Sequence, residues 1–358
     1  MNFQALFPIL KHSTYLNTAY SGILSEPILD WRRAHDQSFM DGASDFRIEQ
    51  PAFLQEVRIA LSRYFNAEVA HTFLVPNFSH GFARLLEGIP ASHRFLLIKE
   101  DYPAVNYSVV NRGFAVDYVL PDADLEGNIL AQMAATRPDV FAFSIVQYSN
   151  GLKIDLQFLK RLKQLYPDLL IVADGTQYCG TESFDFDASG VDVLIASGYK
   201  WMLGGYGNGF MLMKPSVSAD IYSANQELGL PNEAFLQDRT VLSLYFESGH
   251  QDSLSFGTLY QSILWFEDLG KDFIDHRINN LIVKAKSAFE DRGLLAPEIV
   301  NRKLHSNIFN LLIAEEDFTK LERTNIKYTA RGRGIRVSFH FYNTEQDLQH
   351  LLDVLDGI

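Results

Sequence analysis

Residues 169–180 read LLIVADGTQYCG, and residues 191–209 read VDVLIASGYKWMLGGYGNG. Each stretch begins as a short apolar run and ends abruptly in polar and glycine residues, Asp174-Gly-Thr-Gln177 in the first and Ser197-Gly-Tyr-Lys200 in the second. Runs that are apolar at every position, rather than at every other one, suit strands buried on both faces, as in a parallel sheet. Similar runs occur at Phe95–Lys99, Ala115–Leu120, Val140–Val146, Leu169–Ala173, Val191–Ala196 and Gly209–Met213. Between them lie helix-like segments such as Ser79–Glu87, Pro103–Arg112 and Leu156–Leu165. From about Val69 to Met213 the alternation therefore predicts βαβ units and a mainly parallel sheet. Only a glycine-rich loop joins Val191–Ala196 to Gly209–Met213, so one of these two is expected to run antiparallel.

Past about Gly270 the pattern changes. Ile274, Ile278, Leu281, Ala285 and Phe289 step by three or four, the period of an amphipathic helix. A strand at Asn307–Ile313, a helix at Asp317–Thr324, a strand at Gly334–Phe341 and a last helix come after it. Thr344 is the expected N-cap of that helix, with Asp347 three positions on completing a capping box. The chain is thus expected to divide into a large domain, residues 1–270 with an N-terminal arm, and a small α+β domain, residues 271–358.

The whole chain has 358 residues, 31 Lys+Arg against 44 Asp+Glu, and a formal net charge of −13. With 47% hydrophobic and 21% charged residues it can bury a sizeable core, which excludes a disordered chain. The acidic balance argues against nucleic acid as a partner, and no apolar run approaches the roughly 20 residues of a membrane span. A single cysteine, Cys179, rules out an intramolecular disulfide and a Cys-rich zinc site. The start, MNFQALFPIL, lacks a basic segment followed by a long apolar one, so a cytoplasmic protein is expected. The ten His residues form no His-x-x-x-His pair and no acidic cluster has metal-loop spacing, so no metal is predicted.

Ligands of open α/β sheets bind beyond the carboxyl ends of the strands, where Asp174, Gln177, Ser197 and Lys200 can meet. Singly, an Asp-Gly turn or a solvated lysine is commonplace. Together, a carboxylate and a lysine fit pyridoxal phosphate, which needs a lysine for its Schiff base and a carboxylate to pair with its pyridine nitrogen. Asp174 and Lys200 suit these two roles.

In order and spacing, Asp-Gly-Thr-Gln and Ser-Gly-Tyr-Lys resemble the class V aminotransferase group of fold-type I pyridoxal-phosphate enzymes, which includes cysteine desulfurases, isopenicillin N epimerase-like proteins and kynureninase. The resemblance runs from Tyr15-Leu-Asn-Thr-Ala-Tyr-Ser-Gly22 to Ile335-Arg-Val-Ser-Phe-His-Phe-Tyr-Asn-Thr344. It implies an α/β fold with a seven-stranded, mainly parallel sheet and a smaller C-terminal α+β domain. It also places Asn77-Phe-Ser-His-Gly81 at a phosphate loop, so that Ser79 and the backbone N–H groups of Phe78, Ser79 and His80 would open a helix onto an anion. Tyr102 is implied to stack on the cofactor ring. Asn150 and Gln177 are implied to bond its phenolic oxygen, and Ser197 and Tyr199 its phosphate, although many relatives carry His where Tyr199 stands. His250, in Glu247-Ser-Gly-His-Gln-Asp252, occupies the place of a Thr that reaches the partner subunit's phosphate. Arg336 is implied to grip the substrate carboxylate, with Arg331 or Arg333 assisting.

The expected activity is that of a pyridoxal-phosphate enzyme acting at Cα of an amino acid or related amine, with Lys200 as general base. Transamination is placed first, and elimination or epimerisation stands as the alternative. Cys-dependent desulfuration is disfavoured, because the one thiol lies just after the Asp174 motif rather than shortly before Arg336. From another class, a catalytically inactive binding module of the same fold is the rival, opposed by the intact Asp174 and Lys200. A homodimer with shared sites is implied. Tyr20 and the stretch 41–47 are expected around the substrate side chain.

Overall fold

In a computed structural model that describes residues 3–236 and 239–357, the expected runs become eight of the twelve strands among the described residues, the short β1, β2, β10 and β11 being additional: β1 (Thr14–Tyr15), β2 (Thr72–Val75), β3 (Arg94–Ile98), β4 (Ala115–Val119), β5 (Val140–Ser144), β6 (Leu170–Asp174), β7 (Val193–Ser197), β8 (Gly209–Met213), β9 (Ile308–Leu311), β10 (Ile326–Lys327), β11 (Thr329–Arg331) and β12 (Gly334–Ser338). Seven of them form the central sheet, in the order β2-β8-β7-β6-β5-β3-β4. All its pairings are parallel except those of β8, which is antiparallel to β2 and to β7. The glycine-rich connection thus does what its length requires: Ser197 pairs with Gly209 and Val193 with Met213.

Side chains alternate across this sheet, yet both faces are apolar. Leu96, Ile98, Phe141, Phe143, Ile171, Ala173, Leu194 and Ala196 join one buried cluster. Phe95, Leu97, Val140, Ala142, Val172, Val193 and Ile195 join the other. Helices cover both sides, which is why the strands read as unbroken apolar runs. Local signals set the helix starts: Asn77 Oδ1 accepts the N–H of His80 at 2.9 Å, Pro103 occupies a first-turn position, and Asp155 Oδ1 accepts the N–H of Gln157 at 2.8 Å.

The strand β2, only four residues long, has too little pattern to stand out in the sequence, and it escaped prediction. The strand within Val140–Val146 ends at Ser144, and that within Gly334–Phe341 at Ser338. Phe339 N–H still donates to Asn307 O in register with the β12–β9 ladder, and only past it does the chain turn away, where the His340 ring bonds Trp201 O at 2.9 Å.

At the C-terminal end, the helix Lys271–Asp291 buries Ile274, Ile278, Leu281, Ala285 and Phe289, the periodic set. A three-stranded antiparallel sheet, β11-β12-β9, comes next, with the helix Glu345–Leu355 behind the expected Thr344–Asp347 capping box. The N-terminal arm bonds to these C-terminal elements. Thr14 and Tyr15 pair in parallel with Ile326 and Lys327, Ser338 N–H donates to Leu16 O, and Asn343 Nδ2 donates to Tyr15 O. The arm then meets the carboxyl edge of the large sheet just beyond β6 and β7, where Ala19 O accepts from Gln177 and Gly22 N–H donates to Tyr199 O.

Candidate active site

A cavity of about 570 Å³ opens at that edge. The ends of β2, β3, β5, β6 and β7 supply Ser79, Tyr102, Ser144, Asp174 and Lys200; the arm adds Ala19 and Tyr20. Arg331 and Arg336 close it from the C-terminal sheet. The site therefore gathers segments more than 300 residues apart, and the location is the one that open α/β sheets favour.

Asp174, 6% exposed, ends β6, and its Oδ1 accepts the N–H of Thr176 at 2.8 Å. Burial pushes its carboxyl pKa up, more than the Thr176 hydrogen bond and the Lys200 charge pull it down, and the neighbouring Asp101 pushes it further up. Thr176 Oγ1 in turn accepts the N–H of Ser197 at 3.1 Å, stapling the end of β6 to that of β7. Lys200, 8% exposed, lies beyond β7 with its Nζ 5.5 Å from the Tyr199 ring centroid and 5.9 Å from that of Tyr102. Burial pulls its pKa down; Asp174 opposes this, while Arg336 and Arg331 add to it.

The loop carrying Lys200 is fixed from below and from the side. The Trp201 indole, fully buried, donates to Gln177 Oε1 at 2.8 Å, and Gln177 Nε2 donates to Ala19 O at 2.9 Å. A buried indole N–H needs such an acceptor. Gln177 therefore lines the cavity as expected, but its carbonyl serves the loop. Gly22 N–H donates to Tyr199 O at 2.9 Å, and a Cβ there would lie 2.2 Å from Lys200 O. Only glycine permits this approach.

At the phosphate-loop end, Ser79 faces the cavity and Ser197 Oγ accepts the N–H of Phe78 at 2.9 Å. His80 departs from expectation: it does not line the cavity, and its N–H is taken by Asn77 Oδ1, because Asn77 caps the helix. Of the three amides assigned to an anion, that of Ser79 is the one left without an internal acceptor among the described residues. Asn150 is also displaced. Its Oδ1 accepts the N–H of Leu152 at 3.1 Å in a turn, and it lies outside the cavity lining. His250 is exposed in this chain, beside Arg47 Nη2 at 2.8 Å, and likewise does not reach the cavity. The segment 41–47 lies between two long helices, away from the cavity; Tyr20 lines it.

Tyr199 lines the cavity and stacks on Tyr206, with centroids 5.2 Å apart. Tyr102 lines it and meets Tyr148 edge-on at 5.4 Å. Arg336, 2% exposed, donates to Tyr148 O at 2.6 Å, and burial together with Arg331 lowers its pKa to about 10. Arg331 lies over the Tyr148 ring at 5.0 Å, whereas Arg333 is exposed and outside the lining. Sequence reasoning missed Asp101. Its buried carboxylate accepts the N–H groups of Tyr102 at 2.6 Å and Ser144 at 2.7 Å, clamping the crevice between β3 and β5. An acidic residue just after a strand and just before an aromatic-proline pair was the available signal.

A buried lysine and a buried carboxylate facing one cavity, with a seven-stranded sheet behind them, define a pyridoxal-phosphate enzyme of fold type I. The sequence profile of the aminotransferase class-V family matches residues 109–351, and the chain belongs to that family. It is 22% identical to the uncharacterized aminotransferase YcbU of Bacillus subtilis (strain 168), over 98% of this chain and 96% of that protein. In fold it is similar to the cystine C-S lyase C-DES, at a TM-score of 0.81 with 20% identity and 98% of each chain covered. It is also similar to a cysteine desulfurase from Thermococcus onnurineus NA1, at a TM-score of 0.83 with 13% identity, over 99% of this chain and 96% of that one.

Proposed function

We propose that the cavity around Lys200 holds pyridoxal phosphate and carries out transamination of an amino acid. The observation that supports this best is that Asp174 and Lys200 face the same cavity while making no ion pair with each other among the described residues. Lys200 Nζ has no hydrogen-bond acceptor among the described residues, so its amine is available to a ligand. Asp174 is bonded by Thr176 and has no cation in an ion pair with it among the described residues, and burial disfavours its charged form. A protonated pyridine nitrogen would supply that cation, so the residues present fit the group.

When bound, pyridoxal phosphate supplies an electrophilic carbonyl and a ring that withdraws electrons from the bonds at Cα of an attached amine. Lys200 would carry the cofactor covalently and, once released, take the Cα proton at its Nζ. Asp174 would keep the ring nitrogen protonated. Tyr102 would lie against the ring, Ser79, Ser197 and the Ser79 amide would hold the phosphate, and Arg336 would receive the substrate carboxylate. Elimination or epimerisation would use the same proton transfer and differ in the step after it.

The proposed assembly is a cytoplasmic homodimer with shared sites. The exposed apolar side chains of Phe39, Met40 and Ile48, near Arg47 and His250, support such an interface. Light scattering that gave a monomer would refute it. The activity is tested by adding the cofactor, reducing with borohydride and mapping the adduct, then screening amino donors with an oxo-acid acceptor. Adduct on Lys200 and amino transfer are expected; a Lys200→Ala protein that behaved as wild type would favour the binding module.

A further inference from the structure

The cavity is unbalanced in charge. Lys200, Arg331 and Arg336 line it against one carboxylate, that of Asp174. Neither guanidinium has a carboxylate partner among the described residues. Arg336 makes its one bond to the backbone carbonyl of Tyr148, while Arg331 lies over the ring of the same residue. In both, Nε is buried without a partner. Two cations flanking one tyrosine are a repulsive arrangement that an anion from outside relieves. One substrate carboxylate accounts for one guanidinium. The wall around them contains tyrosines, serines and amides, but no Leu, Ile, Val or Met side chain. The apolar surface there comes from aromatic rings, Ala19 and Pro76, and the charged groups beside Tyr148 are the two guanidinium groups.

We infer that Arg331 is the specificity-determining residue of a second anion subsite, and that the substrate is an acidic amino acid, whose side-chain carboxylate meets Arg331 while its α-carboxylate meets Arg336. This rests on the enzyme reading above, which left the side chain open. A planar guanidinium offers paired donors that match a carboxylate and discriminate strongly against an uncharged group.

The test is calorimetric titration of the pyridoxal-phosphate-loaded protein with two unreactive probes, succinate and butyrate. Wild type should bind succinate at least about tenfold more tightly. Arg331→Gln should remove that preference while leaving butyrate affinity within about twofold, and Arg331→Lys should restore part of it. Equal affinities in wild type would overturn the inference. So would equal weakening of both probes in Arg331→Gln, which would mean that both guanidinium groups share one carboxylate. Loss of the cofactor's absorbance in Arg331→Gln would overturn it too, by assigning that residue to the phosphate. The same titration on cofactor-free protein separates the two readings. A wild type that takes up no cofactor refutes the enzyme, while the succinate preference, kept or lost, decides the subsite.

Discussion

Asp174 and Lys200 stand at the carboxyl ends of adjacent parallel strands, Asp174 paired with Ile195 in the ladder and Lys200 just beyond Ser197, yet they do not form an ion pair. Each is buried, and burial moves both toward their neutral forms. The protein thus keeps a base and an acid apart, facing a common space.

The first consequence concerns pH. The Lys200 pKa is lowered from 10.5 to about 8, so the folded protein releases this proton well before an ordinary lysine does. Reaction of the cofactor-free protein with pyridoxal phosphate should accelerate as pH rises through about 8. Stopped-flow absorbance from about pH 6.5 to about pH 9.5 measures this; a rate still rising tenfold per pH unit at the upper end, as an ordinary lysine of pKa 10.5 requires, would contradict the prediction.

Asp174→Asn should fold, since an amide oxygen can still accept the Thr176 N–H. It removes the negative charge that holds the Lys200 pKa up, so the same midpoint should shift below that of wild type. It also removes the partner of the cofactor's ring nitrogen, and turnover should fall by on the order of a hundredfold or more. An unshifted midpoint with wild-type turnover would remove Asp174 from the site.

Gly22→Ala would place a Cβ 2.2 Å from Lys200 O and 2.7 Å from Tyr199 O. Both are backbone atoms that cannot rotate away, so the arm or the Lys200 loop must shift. A stability loss of about 1–3 kcal/mol is expected, together with a changed cofactor spectrum. A thermal melt and an absorbance scan identical to wild type would show that the arm does not brace the loop.

Cys179 is 2% exposed, and burial pushes its thiol pKa well up. It should resist a thiol reagent in the native state and react once the chain is unfolded. Cys179→Ala should keep activity within about twofold. Rapid native labelling, or a folded but inactive Cys179→Ala protein, would reopen a persulfide route through this residue.

Thr344→Ala removes one arm of the capping box, in which Thr344 Oγ1 accepts the Asp347 N–H and Asp347 accepts the Thr344 N–H at 2.7 Å. Denaturant unfolding should show a loss of about 1 kcal/mol. A change within error would mean that packing of Leu348, Leu351 and Leu352 alone holds this helix.

The sequence by itself determined the mainly parallel sheet, an antiparallel turn between β7 and β8, the meeting of Asp174 and Lys200 at one edge and the cap at Thr344. All of these rest on short-range signals: apolar runs, loop lengths, and polar residues immediately after strands. It was silent on β2 and Asp101, and it misplaced His80 and Asn150, because a four-residue strand has too little pattern and a polar side chain in a loop can serve its own turn as readily as a ligand. Tertiary structure alone decided that Asn77 takes the His80 amide, that Gln177 is bonded to Trp201, and that Arg331 rather than Arg333 faces the cavity. The Asn77 cap is a contact three residues apart that competes with a ligand for the same amide, whereas Gln177 and Arg331 are set by contacts between segments far apart in the chain, which form only when the arm and the C-terminal sheet come together with the carboxyl edge of the large sheet.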